Sequence, residues 1–440
     1  MKLSGWGRFP CQPCRITRPR SEDELKARVA EGNLIARGNG RAYGDSALSN
    51  LNTVDMRSFN RMLKFDPATG QLVAEAGVLL QDVIAAFLPQ GWFPSVTPGT
   101  KFVTIGGMIA ADVHGKNHHK DGSFGAFVDW IDVLGPEGEI RRCSRDEEAD
   151  LFAWTLGGMG LTGIILRAAF RLRRVETGWI RQRTIPTVDL AATMGAFEDH
   201  HDATYSVAWI DCLSAGAALG RSVVTIGEHA SLDELPDDRR GSPFVTPLRR
   251  RLAVPLDAPA FLLSRWNVRA FNALYYRGGQ KRVGDSLTDW DSYFYPLDAV
   301  LGWNRIYGSR GFAQFQCALP LATSREGLSQ MLKKISAAGL GSFLAVLKRL
   351  GPQAGGLSFP MEGYTLALDF PANPATLALM TELDRIAVAH QGRFYLAKDS
   401  RMTPTTLRRS DPRVETFQDM RRAAKMPQTF SSSQSERLYL

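Results

Sequence analysis

The sequence predicts an α+β protein of two domains, and three observations predict it. Its 440 residues, 44% hydrophobic and 22% charged, suffice for two or three domains, each with its own core. Up to about residue 178, short strand-like runs alternate with helical stretches. From about Trp179 the character changes to strand-like pieces separated by amphipathic helices. Neither half contains an internal repeat or a low-complexity tract.

Taken in order, Glu22 to Ala30 reads as the first helix, with Leu25 and Val29 one turn apart on its apolar side. Leu34 opens a strand-like run that ends in a Gly-rich turn. Leu72-Val73-Ala74 is a strand, Leu80 to Leu88 a helix, and Ile131 to Leu134 a strand inside the apolar run that starts at Phe127. Glu147 to Leu156 reads as a helix closed by the turn Gly157-Gly158-Met159-Gly160, with Gly163 to Ala169 as the strand behind it. In the second half Ser206 to Ile210, Phe312 to Leu319 and Tyr364 to Phe370 read as strands, and Arg325 to Ala338 and Ala375 to Ala389 as helices.

Two Gly-rich segments in the first half carry most of the chemical information. Val103 to Gly125, VTIGGMIAADVHGKNHHKDGSFG, combines paired glycines, three histidines and two lysines. Gly106 and Gly107 lack a Cβ, which would leave their N–H groups bare to a flat organic ligand laid against main chain, with reactive side chains close behind. Upstream, Leu34 to Leu48 reads LIARGNGRAYGDSAL. Its turn Arg37-Gly38-Asn39-Gly40, followed by Arg41, suits a pyrophosphate held by exposed amides and one guanidinium. The spacing Gly38-x-Gly40-x-x-x-Gly44 misses the G-x-G-x-x-G of a dinucleotide fingerprint, and so argues against a doubly wound nicotinamide fold.

In this order and about 60 residues apart, the two segments resemble the flavin domain of the vanillyl-alcohol-oxidase (PCMH-type) superfamily. Within it SGWGR (Ser4 to Arg8), ARGNGRAYGDSA (Ala36 to Ala47), PGT (Pro98 to Thr100), VTIGGMIAADVHGKNHH (Val103 to His119), GSFG (Gly122 to Gly125) and GGMGLTGII (Gly157 to Ile165) resemble the decaprenylphosphoryl-β-D-ribose 2′-oxidase family. So do YPLD (Tyr295 to Asp298), WNRIYG (Trp303 to Gly308), LSFP (Leu357 to Pro360) and AKDSR (Ala397 to Arg401), which makes the likeness run over nearly the whole chain. The resemblance implies a two-domain vanillyl-alcohol-oxidase-like flavoprotein. Residues 1–178 would bind FAD, residues 179–392 would bind substrate under an antiparallel sheet that roofs the flavin, and residues 393–440 would return to the FAD domain.

It also implies an activity, the oxidation of the 2-hydroxyl of a polyprenyl-phosphoryl ribose to the 2-keto sugar. A C–H hydride leaves for flavin N5 while the adjoining hydroxyl loses its proton, and a short-chain NAD(P)H-dependent reductase would complete the epimerisation to the arabinose lipid. Lys398 is expected to touch the hydroxyl, because an ammonium in a partly dry pocket polarises it and burial lowers its pKa toward proton acceptance. Tyr395 is expected against the isoalloxazine, and His114 and Gly115 facing the flavin. Lys116, Phe294, Gln314, Gln316, Lys348, Thr365 and Ala367 match pocket positions. The cofactor positions are Arg37, Gly38, Asn39, Gly40, Arg41, Ala42, Tyr43, Ser46, Ala47, Pro98, Gly99, Thr100, Val103, Thr104, Gly106, Gly107, Ala110, Ala111, Asn117 and Ile164.

Departures from the family fall in the pocket. Thr365 and Ala367 stand where the mycobacterial pattern has Asn and Cys, and Phe294-Tyr295 where it has Tyr-His, so a reagent that relies on a pocket thiol at 367 should fail. Superfamily members often tether FAD through a histidine of the first loop. This loop carries Tyr43 and no histidine or cysteine, which predicts non-covalent FAD. An oxidase of a soluble sugar, alditol or sugar lactone is the alternative activity. A flavin-binding protein without turnover is the other class, and the retained Lys398, Tyr395 and His114 speak against it.

Charge and cysteines bound the remaining classes. Cys11, Cys14, Cys143, Cys212 and Cys317 are too scattered for a disulfide framework, and Cys11-Gln-Pro-Cys14 has no second pair to close a zinc site. His114, His118 and His119 have no cysteine close by to complete a metal set, and Lys116 among them repels a cation, so no metal is expected. No stretch approaches a membrane span and the N-terminus lacks an apolar signal core, which predicts a cytoplasmic protein or one peripheral at the inner membrane. The net charge of +8 favours anionic partners. Between Asp237 and Arg282 lie Arg239-Arg240, Arg249-Arg250-Arg251, Arg265, Arg269, Arg277 and Lys281-Arg282, mixed with Leu248, Phe261, Trp266, Phe271 and Tyr275-Tyr276. This mixture fits peripheral contact with the headgroups of an anionic bilayer, with an insertion that has a solvated face as the alternative. No nucleic-acid recognition motif accompanies it.

Overall fold

Ile16–Thr17, Asn52–Asp55 and Leu34–Arg37 form a small parallel sheet in that order. Parallel strands need a crossover, and the helix Glu22–Glu31 supplies it. Ser21 caps this helix by accepting from Glu24 N, Glu22, Asp23 and Glu24 oppose the positive end of its dipole, and Leu25 and Val29 are buried under it. The computed structural model describes residues 1–247, 249–250, 252–353 and 355–440. Leu248 and Arg251 of the basic segment lie outside the described residues.

A six-stranded antiparallel sheet backs this unit, in the order Ile140–Ser144, Val128–Leu134, Ile164–Arg174, Gln71–Glu75, Met62–Asp66, with Trp92–Pro94 also pairing to Ile164–Arg174. The last of these pairings takes the strand five residues beyond the expected Ala169. Leu80–Phe87 and Ile105–Ala110 pack on it, so that Leu72, Val83, Ile105, Ile131 and Phe170 share one core. The expected helix 147–156 is shorter, Ala149–Thr155, because Glu148 adopts a left-handed φ of 49°. Gly157 and Gly160 have φ of 79° and 77°, the conformation for which a glycine turn was expected there.

The second half is built on eight antiparallel strands: Gly284–Asp289, Trp179–Thr187, Ser222–His229, Tyr205–Ile210, Ala345–Leu350, Gly363–Pro371, Phe312–Pro320 and Arg393–Phe394. Side chains alternate across it with period two. Phe315, Cys317, Leu366, Leu368 and Phe370 pack with Leu328, Met331, Leu332, Leu379 and Leu383 of the helices Leu321–Ala338 and Pro374–Ala389. Burying each such side chain fully contributes about 1.5–3 kcal/mol, which fixes which face is core. The opposite face therefore carries Gln314, Gln316, Lys348, Thr365, Ala367 and Asp369.

After Arg393–Phe394 the chain crosses back to the first half. Phe430 bridges Leu34, and Ser431 N donates to Leu34 O at 2.9 Å. Arg437 joins Asp45 and Asp399, each at 2.8 Å. Within the basic segment the helix Arg265–Gln280 buries Val268, Asn272, Tyr276 and Gly279 and leaves Trp266 75% and Leu274 67% exposed. Among the described residues, no helix is long and apolar enough to cross a membrane, and no group of three or more His, Cys, Asp or Glu could hold a metal.

Candidate active site

The strand Leu34–Arg37 delivers the first Gly-rich loop to the start of the helix Ile105–Ala110. Gly38 has to be glycine here: a Cβ would lie 2.1 Å from Thr104 Oγ1, the atom that accepts from Gly107 N and caps the helix. Asn39 Nδ2 donates to Phe102 O at 2.8 Å and ties the loop to the Pro98–Val103 segment. Among the described residues no carbonyl accepts from the amides of Asn39, Gly40 or Arg41, which leaves three adjacent donors for an anion. The Arg41 guanidinium lies 4.3 Å from the Trp6 ring centroid, and Arg37 is occupied with Ser4 O and Ala47 O, so it braces the loop from behind. Ala42 O, Tyr43 N and Tyr43 O are likewise held by Trp6, Ala397 and Gly7, and Ser46 is buried.

The second loop divides differently from expectation. Gly106 is a packing residue: its amide donates to Ala76 O at 2.8 Å and a Cβ would press on Ala76, so it presents no bare N–H to a ligand. Gly107 is exposed, but its amide too is taken, by Thr104 Oγ1, so neither glycine of the pair offers the bare N–H expected; Gly99 is exposed, and a Cβ there would meet nothing within 4 Å. Thr100 accepts from Phe102 N, Val103 O from Leu80 N, and Ala110 O from Met159 N. Ile164 is fully buried in the core and paired with Leu134, so no side-chain contact with a cofactor is available there.

His114, His118 and His119 do not form a cluster of ligands. His118 Nδ1 accepts from Gly351 N at 3.1 Å, which puts its proton on Nε2, 3.2 Å from Gln353 Oε1. His119 Nε2 donates to Ala203 O at 2.7 Å. His114 reaches the sheet at Gln316, whose Nε2 lies 3.2 Å from its own Nε2, whereas His119 meets the sheet at Ser206. Its ring is 5.2 Å from that of Tyr395, which stacks on Phe359 and donates from its hydroxyl to Ala111 O at 3.0 Å. Gly115 packs against Asn117, whose Nδ2 donates to Ser95 O.

Three lysines enter the space between this loop and the sheet. The Lys398 ammonium lies 3.5 Å from the Tyr43 ring centroid. Its neighbour Asp399 is taken by Arg437, so no surface ion pair forms between them. Lys116 donates to Tyr293 O and lies 4.0 Å from the Tyr293 ring centroid. Phe294 is 2% exposed between Phe93 and Tyr205, and so backs Lys116 without lining the open face as expected. Lys348 stands opposite Thr365 in the sheet register, and Thr365 accepts from Gln316 at 3.3 Å, with the methyl of Ala367 beside Gln316.

Burial pushes Lys398 and Lys116 down to about 7 and Lys348 to about 8, and the charge of Lys348 presses further on the first two. A residue not expected from sequence also faces this space. Asp369 is 2% exposed and accepts from Gln314 Nε2, and burial pushes its carboxyl up to about 7. The signal for it was the alternation Thr365, Ala367, Asp369 along one strand.

These residues fit FAD. The three free amides and the open side of Gly99 make a cradle for a pyrophosphate, and His114 Nδ1, Thr97 Oγ1 and Gln314 Oε1 are buried polar atoms without a partner among the described residues. An FAD binding domain model matches residues 13–144. Decaprenylphosphoryl-β-D-ribose oxidase of Mycolicibacterium smegmatis is 37% identical over 453 residues, covering 100% of this chain and 97% of that protein. An uncharacterised protein of Streptomyces coelicolor is 32% identical over 82% of this chain and 100% of its own length. L-gulonolactone oxidase of Bos taurus is 28% identical over 42% of this chain and 43% of that protein. The chain is an FAD-dependent oxidoreductase, and it belongs to the decaprenylphosphoryl-β-D-ribose oxidase family.

Proposed function

We propose that this protein oxidises the 2-hydroxyl of a polyprenyl-phosphoryl ribose to the 2-keto sugar. The observation that carries the reading is the set of three half-buried amines, Lys116, Lys348 and Lys398, in one space between the flavin loop and the sheet. None of them makes an ion pair among the described residues. Such a space takes up a phosphate and sugar hydroxyls in exchange for the lost hydration of the amines. FAD, held without a covalent bond since only Tyr43 stands where a tether would attach, supplies the acceptor for the C–H hydride.

The side chains do the rest. Lys398, neutral above about pH 7, takes the hydroxyl proton, and the resulting ammonium stabilises charge at the oxygen. Lys116 and Lys348 hold the phosphate, while Gln314, Gln316, Thr365 and Ala367 shape the sugar site. His114 and Tyr395 support the flavin ring, with its pyrophosphate on the amides of residues 39–41. Residues 1–178 and 393–440 serve the cofactor, and residues 179–392 the substrate. The keto product requires a reductase, of the short-chain NAD(P)H-dependent class, to reach the arabinose lipid. The lipid chain leaves toward a bilayer along the segment 237–282, where Phe261, Trp266 and Leu274 are exposed among arginines.

Turnover of detergent-dispersed polyprenyl-phosphoryl ribose, with none of free alditols or sugar lactones, is the expected result. Turnover of a soluble sugar, alditol or lactone with none of the lipid-linked ribose would replace this reading.

A further inference from the structure

The helix Arg265–Gln280 packs with two different flanks. On one, Phe271 and Tyr275 meet Phe343 and Trp209, at ring-centroid distances of 5.7 and 4.5 Å. On the other, Arg269, Ala273, Tyr276 and Gln280 follow one another at intervals of four, three and four residues, which sets them on a single stripe. Two cavities of the size of small-molecule sites open along this stripe. One, of about 350 Å³, lies between Arg269 and Ala273 and the turn 211–221. The other, of about 490 Å³, lies between Tyr276 and Gln280 and the apolar residues Ile185, Pro186, Val188 and Val283. Arg221 lines the first, and its guanidinium lies 4.8 Å from the ring centroid of Tyr276, which lines the second, so the cavities adjoin at that contact.

The first cavity keeps a positive charge. Asp211 uses both carboxylate oxygens inside the protein: Oδ1 accepts from Leu213 N at 3.1 Å and Asn272 Nδ2 at 2.7 Å, and Oδ2 from Arg221 Nε at 2.9 Å and Nη2 at 2.7 Å. Arg269 makes no ion pair among the described residues, so two guanidiniums face one carboxylate and one positive charge is left over. The second cavity is apolar, and the guanidinium at its rim, Arg183, is paired with Asp285 at 2.7 Å. An inorganic anion would use the first cavity alone, and an apolar protein segment the second alone. We propose that the stripe binds one anionic phospholipid of the bilayer, with its headgroup phosphate on Arg221 and Arg269 and an acyl chain in the apolar cavity. This rests on the reading that the segment 237–282 meets a membrane, and the exposed Trp266 stands one turn before Arg269 on the same helix. The site is separate from the substrate space, since none of Lys116, Lys348 and Lys398 lines either cavity.

The test is a calorimetric titration of the FAD-loaded protein with dioctanoyl phosphatidylglycerol below its critical micelle concentration, alongside glycerol 3-phosphate and dioctanoylglycerol. Saturable binding of one phosphatidylglycerol per chain is expected, with neither of the other two binding comparably. Arg269→Glu, which reverses the unpaired charge, should weaken this binding about tenfold or more. Val188→Asp, which puts a charge into the apolar wall, should weaken it by a similar factor. Both positions are exposed, and unchanged FAD content checks that both variants fold. Arg221 is left in place because its loss would strand the buried Asp211. Wild-type affinity in either variant, or glycerol 3-phosphate bound as tightly as the lipid, would overturn the proposal. Co-sedimentation with phosphatidylglycerol vesicles reads the membrane contact separately. Its loss with the titration intact removes the bilayer reading and leaves the site, and its persistence without saturable lipid binding overturns the site alone.

Discussion

His114 Nε2 accepts a hydrogen bond from Gln316 Nε2 at 3.2 Å, and this bond joins the Val103–Gly125 segment to the eight-stranded sheet. With Nε2 as acceptor the ring proton sits on Nδ1, which is buried without a partner among the described residues. Burial pushes His114 well below the ordinary histidine range, and Lys348, His118 and Lys398 add to the shift. The imidazole is therefore expected to stay neutral through the range in which an ordinary histidine titrates, observed as a Cε1–H resonance that does not shift there. Gln316→Leu should leave it neutral but unheld, with kcat reduced roughly 10- to 100-fold and FAD content unchanged.

Lys398→Ala should slow flavin reduction roughly 10²- to 10⁴-fold, the usual worth of a positioned proton acceptor. FAD content should be retained, because the cradle at residues 39–41 does not involve Lys398. Lys398→Arg should not rescue the rate, since a guanidinium gives up no proton in this pH range. Stopped-flow absorbance of the flavin checks both.

The rate of flavin reduction at saturating substrate should rise with pH. Burial lowers the Lys398 midpoint from the ordinary lysine range, and the amine accepts a proton only above that midpoint, so the limb lies on the acid side. Lys348→Met removes a positive charge that lowers Lys398, so the limb should move to higher pH. A pH profile of the single-turnover rate constant in the two proteins decides the sign.

Arg437 is the sole ion-pair partner of the buried Asp45 among the described residues, and it also bonds the buried Asp399. Burial pushes Asp399 up, but Arg437 and the amides of Arg401 and Met402 more than offset this and hold it below the usual carboxylate range. Arg437→Met leaves both carboxylates without that cation, and should lower stability by about 3–5 kcal/mol in urea unfolding.

Vesicles containing anionic lipid should co-sediment with the protein, and Trp266→Asp, at a 75% exposed position, should weaken the association severalfold. Raising the salt should weaken it further, as arginine contacts with headgroups are screened. Neutral vesicles measured in parallel separate the charge contribution from the apolar one.

Strand and helix positions were legible wherever apolar residues recurred with one period. The ends were less so: the pairing of Arg174 with Trp92 lengthens one strand, and the left-handed Glu148 shortens one helix. The Gly-rich segments and AKDSR were legible as loops that the fold brings close together, Tyr43 N donating to Ala397 O. They could not tell that the amide of Gly106 goes to Ala76 and that of Gly107 to Thr104, because both are glycine and only the fold determines what each one meets. Phe294 was misplaced for a similar reason, since adjacent aromatics do not reveal which ring turns inward. Asp369 went unseen because a lone carboxylate in an apolar strand carries no motif.

Anaerobic titration of the purified holoenzyme with a polyprenyl-phosphoryl ribose, following the oxidised flavin absorbance, tests the account most directly. Bleaching by the lipid-linked ribose, abolished in Lys398→Ala with FAD still bound, is the predicted result. A flavin that stays oxidised with that substrate but bleaches with a free alditol or lactone would contradict it.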